Sequence, residues 1–260
     1  MKLAVRRFAL IAVAHPVATS FLVALATRLI VVIATNLLHG GVVVGDEAQY
    51  LFLALLASEG ELTTQDHLGL TIWGGYGESL FNTTRAFMWP LTALFWLFGP
   101  TRLVGQLLVV LLGAVTAAGA AALAHRLLRR PYALGAGLMV ALFPSQIFWS
   151  SVVLRESLIW AGLAVMAVVV TIWQRKESGI ALLLPVAAMA LLFVTLVWLR
   201  EQTAVVALWC AVPALLFGLS RRGPRILCVT CLAVVSIEVV ASVEAMGVVR
   251  RGVTSCCSAN

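Results

Sequence analysis

The sequence predicts an all-α fold: a polytopic transmembrane helix bundle of about seven spans, with two interfacial helices in its first outer loop. Three observations carry this. Hydrophobic residues make up 62% of the 260-residue chain and charged residues only 11%, against roughly 25% charged in a soluble domain. Apolar runs of about 20 residues, the length that crosses a bilayer, follow one another. Lys and Arg gather in short clusters between those runs, as they do in loops held on the cytoplasmic side. The net charge of +7 therefore reads as membrane topology, and nucleic acid is excluded as a partner.

The expected spans are 17–38, 103–125, 132–150, 157–173, 180–199, 203–219 and 226–247. Lys2, Arg6 and Arg7 precede the first apolar run in the manner of a signal peptide. The run is too long and no cleavage site follows, so it reads as an uncleaved span. A single transmembrane domain, 1–250, is expected, with 39–102 as its outer loop and 251–260 as a polar tail. With the N-terminus cytoplasmic, the inner loops hold Lys2, Arg6, Arg7, Arg126, Arg129, Arg130, Arg175, Lys176, Arg221, Arg222 and Arg225. The outer side holds fewer: Arg85, Arg102, Arg155, Arg200, Arg250 and Arg251. This requires that 85–98 lie in the outer interface, with Trp89 and Trp96 at headgroup depth, because it is short for a span. The chain is thus expected in the inner (plasma) membrane as a multi-pass protein.

Chemistry-bearing residues collect on the outer side. Asp46, Glu47, Glu59, Glu61, Asp66, Glu78, Glu156 and Glu201 all fall there, a skew that topology does not require. Gly45 opens a turn out of the first span, and the apolar stretch after Tyr50 reads as a helix lying along the membrane. Asp46 suits an N-cap, with Gln49 completing a capping box, and a cap can also serve as a base. Arg85, Arg102, Arg155 and Arg200 stand against the topological preference. Snorkelling and local pairs such as Arg155–Glu156 and Arg200–Glu201 account for them in one reading. An anionic ligand accounts for them in another, since the guanidinium fork matches phosphate. Arg28 lies mid-span, where a lone charge costs about 2.5–3.5 kcal/mol on insertion scales. Glu238 has similar depth and is the expected partner, with a lipid phosphate as the alternative. The five cysteines form no disulfide or metal pattern.

The order of these blocks resembles the GT-C glycosyltransferases, the superfamily of protein O-mannosyltransferases and lipid A aminoarabinose transferases. GDEAQY (45–50) resembles their acidic motif in the first outer loop. Residues 88–130 resemble their second interfacial helix, Phe-Gly turn and following span. Residues 141–158 resemble the segment where the third span ends and the fourth begins with an acidic residue. The likeness covers 17 to about 173. Members usually continue with more spans and carry two prolines near the start of the second interfacial helix, where this chain has Pro90 alone. The expectation is an N-terminal part of such an enzyme.

The resemblance implies an inverting transfer of a sugar from a polyprenyl-phosphate donor to a glycan, lipid or protein acceptor on the non-cytoplasmic face. Asp46 would be the general base, with Glu47 supporting it. Tyr50, Arg85, Arg102, Arg155, Glu156 and Arg200 would bind substrate. No cofactor is demanded and no metal ligands are assigned, although metal use varies in the superfamily and a divalent ion is compatible. The competing expectations are a lipid-linked-sugar flippase, a small membrane transporter, or an inactive fragment of the same fold.

Overall fold

Helix starts and stops follow local chemistry along the chain. The computed structural model describes residues 10–39, 42–60, 80–175 and 183–200, with 203, 204, 206 and 207. Helix α1, Pro16–His39, opens on a proline, whose missing N–H has no helical partner to lose. Helix α2, Gly45–Glu59, ends at Gly60, whose φ of 77° lies in the left-handed region that glycine enters without steric cost. Helix α3, Arg85–Phe98, ends at Gly99, whose N–H reaches Phe95 O at 2.9 Å. Thr101 then caps α4, Arg102–Leu127, by accepting the Val104 N–H. Pro131 lies in the first turn of α5, Arg130–Leu142, and Pro144 opens α6, Pro144–Trp149. Helices α7, Glu156–Arg175, and α8, Leu183–Val197, follow. Among the described residues no strand occurs.

The chain divides into two compact units, Met1–Arg200 and Glu201–Asn260. Helices α1 to α8 all belong to the first. The central helix of that unit is α4, which packs on α1, α5 and α7 and also touches α3. Small residues make that possible. Ala24, Ala114, Ala117 and Ala141 form a fully buried cluster where α1, α4 and α5 meet. A Cβ at Gly119 would sit 2.8 Å from that of Ala164 on α7, and one at Gly137 would collide with Ser20 of α1. Close backbone approach through small side chains is how apolar helices gain packing energy when lipid already satisfies their outer faces.

Among the described residues two helices, Pro16–Leu38 within α1 and α4, are long and apolar enough to cross a membrane. The outward face of α1 is apolar as well: Leu37 is 81% exposed and Ile30 65%. Shorter apolar stretches are Glu156–Ile172 and Ala187–Val197, in the places of the fourth and fifth expected spans. Helices are present where the two interfacial helices are expected, as α2 and α3.

The third expected span, 132–150, is not one helix. It breaks at Phe143, which is extended (φ −67°, ψ 118°), because the ring of Pro144 disfavours a helical residue before it. The chain leaves helical geometry again from Ser150 to Arg155. The sixth and seventh expected spans and the tail 251–260 lie outside the described residues, apart from the four positions between 203 and 207.

Close packing at Gly137 gives a matched test. Gly137→Ala should destabilise the protein by about 1–3 kcal/mol through overpacking against Ser20 and Ala121. Gly135→Ala, two residues away with open space around it, should be neutral or stabilising by about 0.5–1 kcal/mol. Thermal unfolding of the two variants in detergent checks this.

Candidate functional site

The GDEAQY segment separates its two carboxylates. The N-cap of α2 is Val44, extended at φ −129° and ψ 139° and without a side-chain cap bond. The expected capping by Asp46 is therefore corrected: Asp46 lies inside the first turn, is exposed, and makes no hydrogen bond or ion pair among the described residues. Glu47, one residue on, is fully buried. Its Oε2 accepts the Val43 N–H at 3.2 Å, the reach back from the first turn that closes a helix start.

Burial without partners would make that carboxylate very costly. Instead it receives a fork from Arg102, the first residue of α4, with Nε to Oε1 at 3.0 Å and Nη2 to Oε2 at 3.2 Å. The Val153 N–H adds a longer bond to Oε1 at 3.4 Å. Four donors from three parts of the chain thus converge on one side chain. Arg102 also turns Nη1 toward Asn36 Oδ1 at 3.4 Å. Asn36 donates to Gln106 Oε1 at 2.7 Å, and Gln106 donates to Ser151 O at 3.2 Å. The network runs from α1 through α4 to the non-helical stretch after α6.

Arg28 holds the other end of that stretch. It is fully buried. Its Nε donates to Ser150 Oγ at 2.5 Å, and its Nη1 donates to Ala24 O at 3.1 Å and Ala141 O at 3.3 Å. Ser150 Oγ in turn donates to Gln146 O. Sequence reasoning expected a partner in Glu238, which lies outside the described residues. It missed Asn36, Gln106, Ser150 and Gly113. The available signal was polar or absent side chains within apolar runs.

Two further expected arginines meet at the end of α8. The Arg85 guanidinium stacks over the Trp198 ring, 3.7 Å from its centroid. Arg155 Nη1 donates to Leu199 O at 3.3 Å. Arg155 and Glu156 form a loose pair at 3.9 Å. Arg85 Nε, Arg155 Nε and Glu156 Oε2 are buried with no hydrogen-bond partner among the described residues. Arg200 is exposed. Tyr50 is buried, its ring edge-on to Phe87 at 5.6 Å, so it joins α2 to α3. Among the described residues no three His, Cys, Asp or Glu side chains gather as metal ligands.

The structure therefore joins Glu47 with Arg102, and gathers Arg85, Arg155 and Glu156 around Trp198 and Leu199. Val153 links the groups, since it binds Glu47 two residues before Arg155. Comparison of the chain with protein-family models, curated proteins and solved structures finds no match.

Removing one member of the buried pair should expose its cost. Glu47→Leu leaves Arg102 without its carboxylate partner and should destabilise by about 3–5 kcal/mol. Adding Arg102→Leu should restore a large part of the loss, and Asp46→Asn should leave the melting temperature unchanged. Thermal unfolding of the three variants measures this.

Proposed function

We propose that this chain is a membrane glycosyltransferase of the GT-C type. On this reading it transfers a sugar from a polyprenyl phosphate to a cell-envelope acceptor on the non-cytoplasmic face of the inner membrane. The observation that carries it is the division between Asp46 and Glu47. One carboxylate is sealed among four donors and fixes the backbone. Its neighbour is left exposed on the same helical turn, just past a membrane-length helix. A base must be free to reach the proton it removes, and Asp46 alone of the two is free.

In the proposed reaction the acceptor hydroxyl oxygen attacks the anomeric carbon of the donor. Its proton passes to the Asp46 carboxylate as the bond from that carbon to the phosphate oxygen breaks. The bonding pair leaves with the polyprenyl phosphate, and configuration inverts. Negative charge grows on the leaving phosphate, where preorganised donors stabilise it most. Arg85 and Arg155, whose Nε–H groups are buried with no hydrogen-bond partner among the described residues, suit that role. Arg102 suits it less, because Glu47 and Asn36 already take its donors. In this mechanism Glu47 and Arg102 position the site and do not react. Helices α2 and α3 lie along the outer interface, with Trp89 and Trp96, both exposed, at headgroup level.

A second reading, a lipid-linked-sugar flippase or transporter, draws on a different observation. Transporters build substrate sites from interrupted helices near the bilayer midplane, and the break between α5 and α6 sits beside the buried Arg28.

Membrane vesicles supplied with polyprenyl-phosphate sugars separate the two. Asp46→Asn should lower transfer by about 100-fold or more with the protein still folded. Arg155→Ala should raise the apparent donor KM about tenfold, as expected for a contact to the donor phosphate. Unchanged transfer in Asp46→Asn removes it as the base. Movement of lipid-linked sugar across vesicles with no transfer selects the second reading.

A further inference from the structure

We propose that Arg28 is a positioning residue: it staples the interrupted segment 141–150, and through it sets where Arg155 stands. The inference rests on the function proposed above only for the task given to Arg155.

Arg28 lies twelve residues into α1, so about 18 Å along its axis. At such a depth in an apolar bundle, backbone that leaves helical geometry must be satisfied by protein groups. The chain leaves it twice, before and after the six residues of α6. Arg28 reaches both breaks. Nη1 caps the Ala141 carbonyl at the end of α5, a position that also receives the Thr27 hydroxyl at 3.4 Å. A cation there also suits the negative end of the helix. Nε meets Ser150 Oγ on the far side of α6.

The space for this staple is reserved by Gly113 on α4. A Cβ there would stand 2.5 Å from Arg28 Nε and 2.7 Å from Ser150 Cβ and Oγ. Above the staple, Gln106 holds Ser151 O and Glu47 holds the Val153 N–H. Ser150 to Leu154 are all buried. Three ties from α1, α4 and α2 therefore fix the chain immediately before Arg155, and Arg28 is the first of them.

A general folding role makes a different forecast from a positioning role. Among the described residues Arg28 Nη2 is buried without a hydrogen-bond partner, so replacing the side chain by leucine removes one unsatisfied buried donor together with the staple. Ser150 Oγ keeps its bond to Gln146 O in that variant. Arg28→Leu should thus leave the bundle intact and loosen the segment alone. Gly113→Ala should do the same by driving Arg28 away from Ser150, with the charge retained.

The test uses the full chain in lipid vesicles, with Cys210, Cys228, Cys231, Cys256 and Cys257 changed to serine. Single cysteines are placed by Ser151→Cys, the residue directly after the segment, or Ala161→Cys in α7. Both positions should resist a water-soluble maleimide in the otherwise wild-type chain. With Arg28→Leu or Gly113→Ala, labelling at 151 should rise about tenfold or more through local opening, while 161 stays protected. Continued protection of 151 in both variants overturns the inference. So does equal gain of labelling at 151 and 161, which would make Arg28 a support of the whole bundle. In the transfer assay, Arg28→Leu should raise the donor KM about tenfold with kcat changed less than about threefold; a fall in kcat alone contradicts positioning. Labelling needs no sugar donor, so the inference and the proposed reaction fail separately.

Discussion

The carboxylate of Glu47 is the tie on which this end of the bundle depends. It draws together the start of α2, the start of α4 and the loop before α7, three parts of the chain far apart in sequence. The two guanidinium bonds neutralise it, and the two backbone bonds fix the path of the chain on either side. A buried ion pair is not a source of stability in itself, because desolvation of both partners offsets much of their attraction. Its value in this bundle is geometric. Once Glu47 is held, Asp46 must face outward from the same turn, and Val153 must sit close enough to give Arg155 a defined starting point.

The same constraint explains the side chains that look misplaced in an apolar helix. A continuous helix satisfies its own backbone, whereas one interrupted at Pro144 does not. Arg28, Gln106 and Glu47 supply what the interruption leaves open, and Gly105 and Gly113 of α4 supply the room. A Cβ at Gly105 would stand 3.0 Å from Val153 Cγ2, so both glycines face the segment that leaves the helix. They are eight residues apart, about two turns, and therefore on one face of α4. Fixed in this way, the segment presents arginine where α8 ends, and Trp198 and Leu199 hold Arg85 and Arg155 by their apolar and carbonyl groups.

Much of this is legible in the amino-acid sequence. Hydropathy and length locate α1, α4, α7 and α8, since a long apolar run leaves a signal in every residue. Gly60 and Gly99 close α2 and α3 where turn chemistry places them. The break at Phe143 escapes such reasoning because apolar residues continue through it, and only Pro144 hints at it. Arg28 is conspicuous as a lone charge. Its partner is not, because pairing in three dimensions carries no fixed sequence spacing, and a serine hydroxyl is a less obvious match than a carboxylate. For Asp46 and Glu47 the sequence marks two adjacent carboxylates and does not separate the buried one from the exposed one. Which of them is buried depends on Arg102, fifty-five residues from Glu47, and no local pattern encodes that.

The proposed chemistry reduces to the position of one exposed carboxylate, on the far side of the membrane and beside a sealed one. Cysteine accessibility at Asp46→Cys measures it directly, in a cysteine-free chain in sealed vesicles of known orientation, with the buried Ala54→Cys of the same helix as reference. An impermeant thiol reagent on the non-cytoplasmic side should label position 46 rapidly and leave position 54 untouched. Labelling of position 46 only from the cytoplasmic side, or equal reactivity at both positions, would contradict this placement and the reaction built on it.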